Sequence, residues 1–187
     1  MAVRGQTMRH PRTGERVTFS RTAAETDGRF VEFDVYGPPG TAPAAPHVHP
    51  SQLERFTVHA GNVRVRLGRE ESDHGPGATV VIPPGTPHSW AAVGDDEMHL
   101  TVTVEPALNA ESFFEDFFAL AETGRTNRAG VPTPLRLAVL LADNAGFLYL
   151  ERPPIRVQRL LIAVLAPLGR ALGYGRRQAA GGVPVVG

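Results

Sequence analysis

The chain has 187 residues, 19 basic and 19 acidic side chains, and a formal net charge of zero. Balanced charge gives no footing for a nucleic-acid partner. The absence of cysteine excludes disulfides, thiolate ligands and cysteine nucleophiles. Every basic side chain is arginine, which also excludes a Schiff-base lysine, and the length suits one domain with a sizeable core plus an appendage.

Residues 1–15 carry Arg4, Arg9 and Arg12 without an apolar run, so they do not read as a secretory signal. They are expected to form a flexible arm on a cytoplasmic protein. Strands are predicted over 16–20 and 29–36, where Val31, Phe33 and Val35 alternate with Glu32 and Asp34. After a Gly/Pro/Ala-rich loop comes His47-Val48-His49, bracketed by Pro46 and Pro50. Each proline biases the residue before it away from the helical region. In an extended segment the two imidazoles leave the same side of the backbone.

Glu54 begins the next strand, where its carboxylate can turn back toward the two rings, and Phe56 and Val58 share its parity as candidate pocket residues. Gly61-Asn62 is expected to make a hairpin into the strand bearing Val63, Val65 and Leu67. Arg69 to Pro76 reads as a polar loop. A strand over 79–82 leads to Pro84-Gly85, which fills the two central positions of a type II turn and delivers His88 to the following strand. Trp90 shares the parity of His88 and suits either a pocket wall or the core. A last strand runs from Met98 to Glu105. His59 and His99 lie opposite the apolar residues of their strands, so exposure or packing is expected there. Short strands separated by turn signals predict an antiparallel barrel or sandwich over 16–105.

From Pro106 the pattern becomes helical. Asn109 is a candidate N-cap for the phenylalanine-rich segment ending at Gly124, and Thr133-Pro134 opens a second helix. A third follows Pro153-Pro154, with Pro167 expected to kink or end it. The helical extension, 106–187, is expected to pack on the outside of the barrel or on a partner subunit. Leu160 to Leu168 is too short to span a membrane, which needs about 20 apolar residues. A surface-lying amphipathic helix is the alternative.

A lone His-x-His pair is ordinarily structural, and Pro-Gly turns are common hairpin chemistry. Together, however, three imidazoles and a carboxylate from three strands make a donor set for a divalent transition ion. An octahedral ion so held keeps two positions open, the arrangement that separates catalytic from structural sites.

These residues resemble the cupin superfamily. Its first motif is matched by His47, His49, Glu54 and Gly61, with Gly40 one residue further upstream than usual. Its second is matched by Gly77, Pro83, Gly85 and His88, with Ala92 at the usual asparagine. The resemblance implies a mainly β, cupin-type antiparallel barrel (a double-stranded β-helix or jelly roll). It also implies metal ligation by His47, His49, Glu54 and His88, with Glu54 doubling as a proton acceptor. The expected cofactor is a divalent transition metal, with Fe(II) favoured over Mn, Ni, Cu or Zn. The expected activity is dioxygenase-type oxidation of a small organic substrate. The alternatives are Lewis-acid isomerase, lyase or cyclase chemistry with a redox-silent ion, or a non-catalytic binding barrel. Unpaired sheet edges make a homodimer the expected assembly.

Overall fold

A computed structural model describes residues 2–41 and 45–175. Eleven strands and three α-helices follow one another within it: β1 (Thr7–Arg9), β2 (Arg16–Arg21), β3 (Val31–Gly37), β4 (His47–Val48), β5 (Leu53–Ala60), β6 (Asn62–Leu67), β7 (Glu70–His74), β8 (Thr79–Ile82), β9 (His88–Val93), β10 (Met98–Glu105), α1 (Ala110–Glu122), α2 (Pro134–Asp143), β11 (Tyr149–Leu150) and α3 (Ile155–Ala171).

The strands form two antiparallel sheets, ordered β1-β2-β3-β10-β5-β8 and β11-β4-β9-β6-β7. Alternation within each strand decides which face goes inward. In β3, Val31, Phe33 and Val35 are buried while Glu32 and Asp34 are only partly covered; in β10, Leu100, Val102 and Val104 are buried beside Thr101 and Thr103. The two inner faces meet with Phe19, Phe33, Phe56, Val65 and Trp90 in one core. Full burial of side chains of this size contributes roughly 1.5–3 kcal/mol each.

Several expectations are corrected. Gly61-Asn62 does not close a hairpin: β5 pairs with β10 and β8, whereas β6 pairs with β9 and β7, so the turn carries the chain from one sheet to the other. Gly61 sits at φ 65°, and a Cβ there would lie 2.7 Å from the Glu97 carbonyl oxygen. The predicted polar loop contains β7. Its sequence Glu-Glu-Ser-Asp-His has no apolar alternation to announce a strand, and it is held as an edge by its ladder to β6 and by Arg64–Asp73 at 2.7 Å.

The first fifteen residues are not a free arm. Thr7–Arg9 pairs with β2, and Met8 and His10 are buried. Asn109 stands at the N-cap of α1 but donates its side-chain amide to the Ala145 carbonyl instead of capping. Pro167 does not end α3, which runs on to Ala171.

The helical extension does not lie on the outside of the barrel alone. Phe114 of α1 packs on Phe33 with ring centroids 4.7 Å apart, and Phe118 is part of the core. β11 adds a strand beside β4. α3 packs mainly on α2 through Ala166 and Gly169, and leaves much of its apolar surface exposed.

Candidate metal centre

β4 and β9 are paired so that His47 stands directly opposite His88. On β5, Glu54 lies opposite Ile82 and Val104 and points inward with Phe56 and Val58. The Pro84-Gly85 turn ties the two motifs together, because the Gly85 amide donates to the His49 carbonyl at 2.8 Å and Gly85 takes the positive φ of 77° that the turn requires.

The outcome is a cluster in which one ligand atom from each of His47, His49, Glu54 and His88 lies within 4.8 Å of the others. The ring centroids of His47 and His88 are 4.3 Å apart, those of His47 and His49 5.0 Å. His88 Nε2 is 2.8 Å and His49 Nε2 3.8 Å from Glu54 Oε2.

Each ring is oriented through its other nitrogen. The Nδ1 atoms of His47, His49 and His88 lie 2.7, 2.7 and 2.9 Å from the carbonyl oxygens of Ala45, Phe147 and Thr86. A carbonyl only accepts, so each Nδ1 carries a hydrogen and each Nε2 is left facing the cluster. This is the second-layer arrangement that orients histidine ligands toward a metal. Although His88 Nε2 and Glu54 Oε2 are close, neither has a hydrogen-bond partner of proper geometry. Two buried polar atoms left unsatisfied are costly, and a cation between them would satisfy both. The donor set therefore fits a divalent transition ion.

Electrostatics favour the same occupancy. Burial, reinforced by His88 and His49, drives the His47 imidazole down to about 3, although part of that residue reaches the surface. Burial likewise lowers His49, against the opposing pull of Glu54. For Glu54, burial works to raise the carboxyl, but His88, His49 and His47 outweigh it and hold the group below its ordinary value. For His88, burial acts downward and is outweighed by contact with Glu54, so the imidazole is raised. A buried carboxylate held ionised attracts positive charge.

The cluster opens into a cavity of about 260 Å³. Phe56 and Trp90 line it, as do Phe113, Phe114 and Phe117 of α1 and Phe147 before β11. Val58 is buried in the core and is not among the lining residues. Phe147 packs on His49 with centroids 4.7 Å apart, so the residue that orients the ring also walls the space beside it. His10 and Glu15 reach the same cavity from the N-terminal segment. Burial raises the Glu15 carboxyl to about 7, although its side chain retains some exposed surface. Sequence reasoning missed His10, Glu15 and Phe147. Only the concentration of phenylalanines in α1 signalled an apolar wall.

A second cluster, of Asp34, His59 and His99, lies on the outer face of the larger sheet. His99 Nε2 is 3.2 Å from Asp34 Oδ1, and Thr101 Oγ1 contacts both Asp34 Oδ1 and His59 Nε2 at 2.7 Å.

Residues 34–104 match the family model for the cupin domain. No curated protein sequence matches the chain. Among similar solved structures is a predicted oxalate decarboxylase from Thermotoga maritima: 14% identity over 57% of this chain and 99% of that one, with a TM-score of 0.50. KdgF from a Halomonas species shares 20% identity over 52% of this chain and 84% of that one, with a TM-score of 0.47. An uncharacterized conserved protein with a double-stranded β-helix domain from Klebsiella pneumoniae shares 23% identity over 43% of this chain and 66% of that one, with a TM-score of 0.41. At these identities the likeness is one of fold. Residues 34–104 thus carry the cupin-domain match, and a helical extension follows them in the chain.

Proposed function

We propose that His47, His49, His88 and Glu54 hold a divalent transition metal, Fe(II) by preference, and that the protein is an enzyme oxidising a small, largely apolar organic molecule with dioxygen. The observation that carries this reading is the junction of two unlike surfaces. The donor cluster closes one end of a cavity, with His47, His49 and Glu54 in its lining and His88 buried behind them, and the remaining walls are mostly aromatic and aliphatic. An ion held by these four residues would supply the activation of dioxygen toward the substrate.

The protein's own residues do the rest. Phe113, Phe114 and Phe147 offer rings to the flat faces of an aromatic or conjugated substrate, whose preferred stacking is offset or edge-on. The same walls exclude water, which strengthens every charge interaction at the donor end. The Glu54 carboxylate, held ionised by its histidine neighbours, takes the proton from a substrate hydroxyl placed beside it. His10 and Glu15 give the cavity further polar groups, which can bind a second substituent.

The test is oxygen uptake by Fe(II)-loaded protein with a panel of phenols, catechols and β-diketones. Turnover should appear with at least one planar substrate and disappear in His49→Ala. Full metal occupancy with binding of these compounds but no oxygen consumption would replace the oxidase reading with a non-catalytic barrel. Conversion without oxygen consumption would indicate Lewis-acid isomerase or lyase chemistry.

A further inference from the structure

α3 presents three sectors at about 100° per residue. Gln158, Ala166 and Gly169 are buried. A Cβ on Gly169 would come within 2.7 Å of Val139 Cγ2, so this side is pressed against α2. Arg156, Arg159 and Arg170 occupy a second sector, where Arg170 is already paired with Asp143 of α2 at 2.5 Å. On the third, Val157, Leu160, Leu161, Val164 and Leu168 continue into Leu172 just past the helix end. These six side chains are between 44% and 67% exposed. Among the described residues nothing covers them. A contiguous apolar face of this kind marks an interaction surface.

The charge around the face selects its occupant. Residues 152–187 contain Arg152, Arg156, Arg159, Arg170, Arg176 and Arg177 and no aspartate or glutamate. A second copy of the chain laid on this face would bring arginines against arginines with no carboxylate from the same segment to offset them. An anionic lipid surface supplies what the face lacks: acyl chains for the leucines and phosphates for the guanidinium groups. The helix cannot cross a bilayer. Its 17 residues rise about 25 Å, short of the hydrocarbon thickness of roughly 30 Å, and among the described residues no helix is long and apolar enough to span.

We infer that α3 is a docking helix that lies in the surface of an anionic bilayer, with its leucine face in the acyl boundary and Arg156 and Arg159 at the phosphates. α2 then stands between the bilayer and the barrel, since Val139 meets α3 while Leu137 and Leu140 line the cavity. This inference does not depend on the metal centre.

The experiment is co-sedimentation of the full chain with vesicles of phosphatidylcholine alone or mixed with phosphatidylglycerol. Binding should require phosphatidylglycerol and weaken as salt rises. It should fall roughly a hundred-fold in Leu160→Asp/Val164→Asp and by about ten-fold in Arg156→Gln/Arg159→Gln. Because the chain has no cysteine, Val164→Cys takes a single polarity-sensitive fluorophore, whose emission should shift to the blue when the mixed vesicles are added. Absence of both co-sedimentation and blue shift overturns the inference. So does undiminished binding of folded Leu160→Asp/Val164→Asp. A concentration-dependent dimer that this variant dissolves, without vesicle binding, would assign the face to a second copy.

Discussion

Two clusters of histidine and carboxylate face opposite sides of the barrel wall and are built from the same side-chain types. Inside, the Nδ1 atoms of His47, His49 and His88 meet backbone carbonyls, and His88 Nε2 and Glu54 Oε2 are left buried without a hydrogen-bond partner. Outside, the Nε2 atoms of His59 and His99 already have Thr101 and Asp34 as partners, and water reaches them. Residue identity alone therefore does not separate the two clusters. What distinguishes the inner cluster is that its ligand atoms are oriented by groups that cannot take their place, in a space where leaving them unpaired is costly.

His88→Ala gives the largest expected change. It should lower metal affinity by roughly a hundred-fold or more, judged against the ten- to hundred-fold typical of losing a mere supporting partner. Calorimetric titration with Zn(II) and elemental analysis read it directly. His99→Ala should leave the stoichiometry of tight binding unchanged, and equal losses in the two variants would erase the contrast between the clusters.

Phe147→Ala sharpens the inner side. Phe147 is 2% exposed and walls His49, so truncation should cost about 3–5 kcal/mol in urea unfolding. A change below about 1 kcal/mol would mean that the wall does not confine the ring.

Glu15→Gln examines a third kind of environment, a carboxyl in an apolar cavity. With its folded value raised to about 7 from an ordinary 4.5, the folded state binds the proton more tightly than the unfolded chain. That contribution to stability is complete below about 4.5 and is lost as pH rises through about 7. The variant should therefore gain melting temperature relative to the parent between pH 5 and pH 8, and a constant difference across that range would refute the burial. The smallest effect belongs to His99→Ala, whose stability should stay within about 0.5 kcal/mol of the parent.

The barrel was legible because both of its signals are local. Alternation marks β3, β5 and β10, and the prolines around His47-Val48-His49 dictate an extended backbone whatever lies elsewhere. The convergence of His88 with His47 was legible only through the motif pair, since strand register is a property of the ladder and not of either segment. β7 escaped detection because an edge strand facing water on both sides carries no apolar period. His10 and Glu15 escaped because a polar residue acquires its role from what packs over it. The Gly61 turn was misread because a tight turn looks the same whether it joins neighbours in one sheet or passes between two.

The carbonyl that orients His49 belongs to a residue 98 positions downstream. A growing polypeptide must therefore be translated well beyond its last barrel strand before that imidazole is locked in place. Exchanging the C-terminal segment for another would alter both the shape of the chamber and the orientation of the His49 ring.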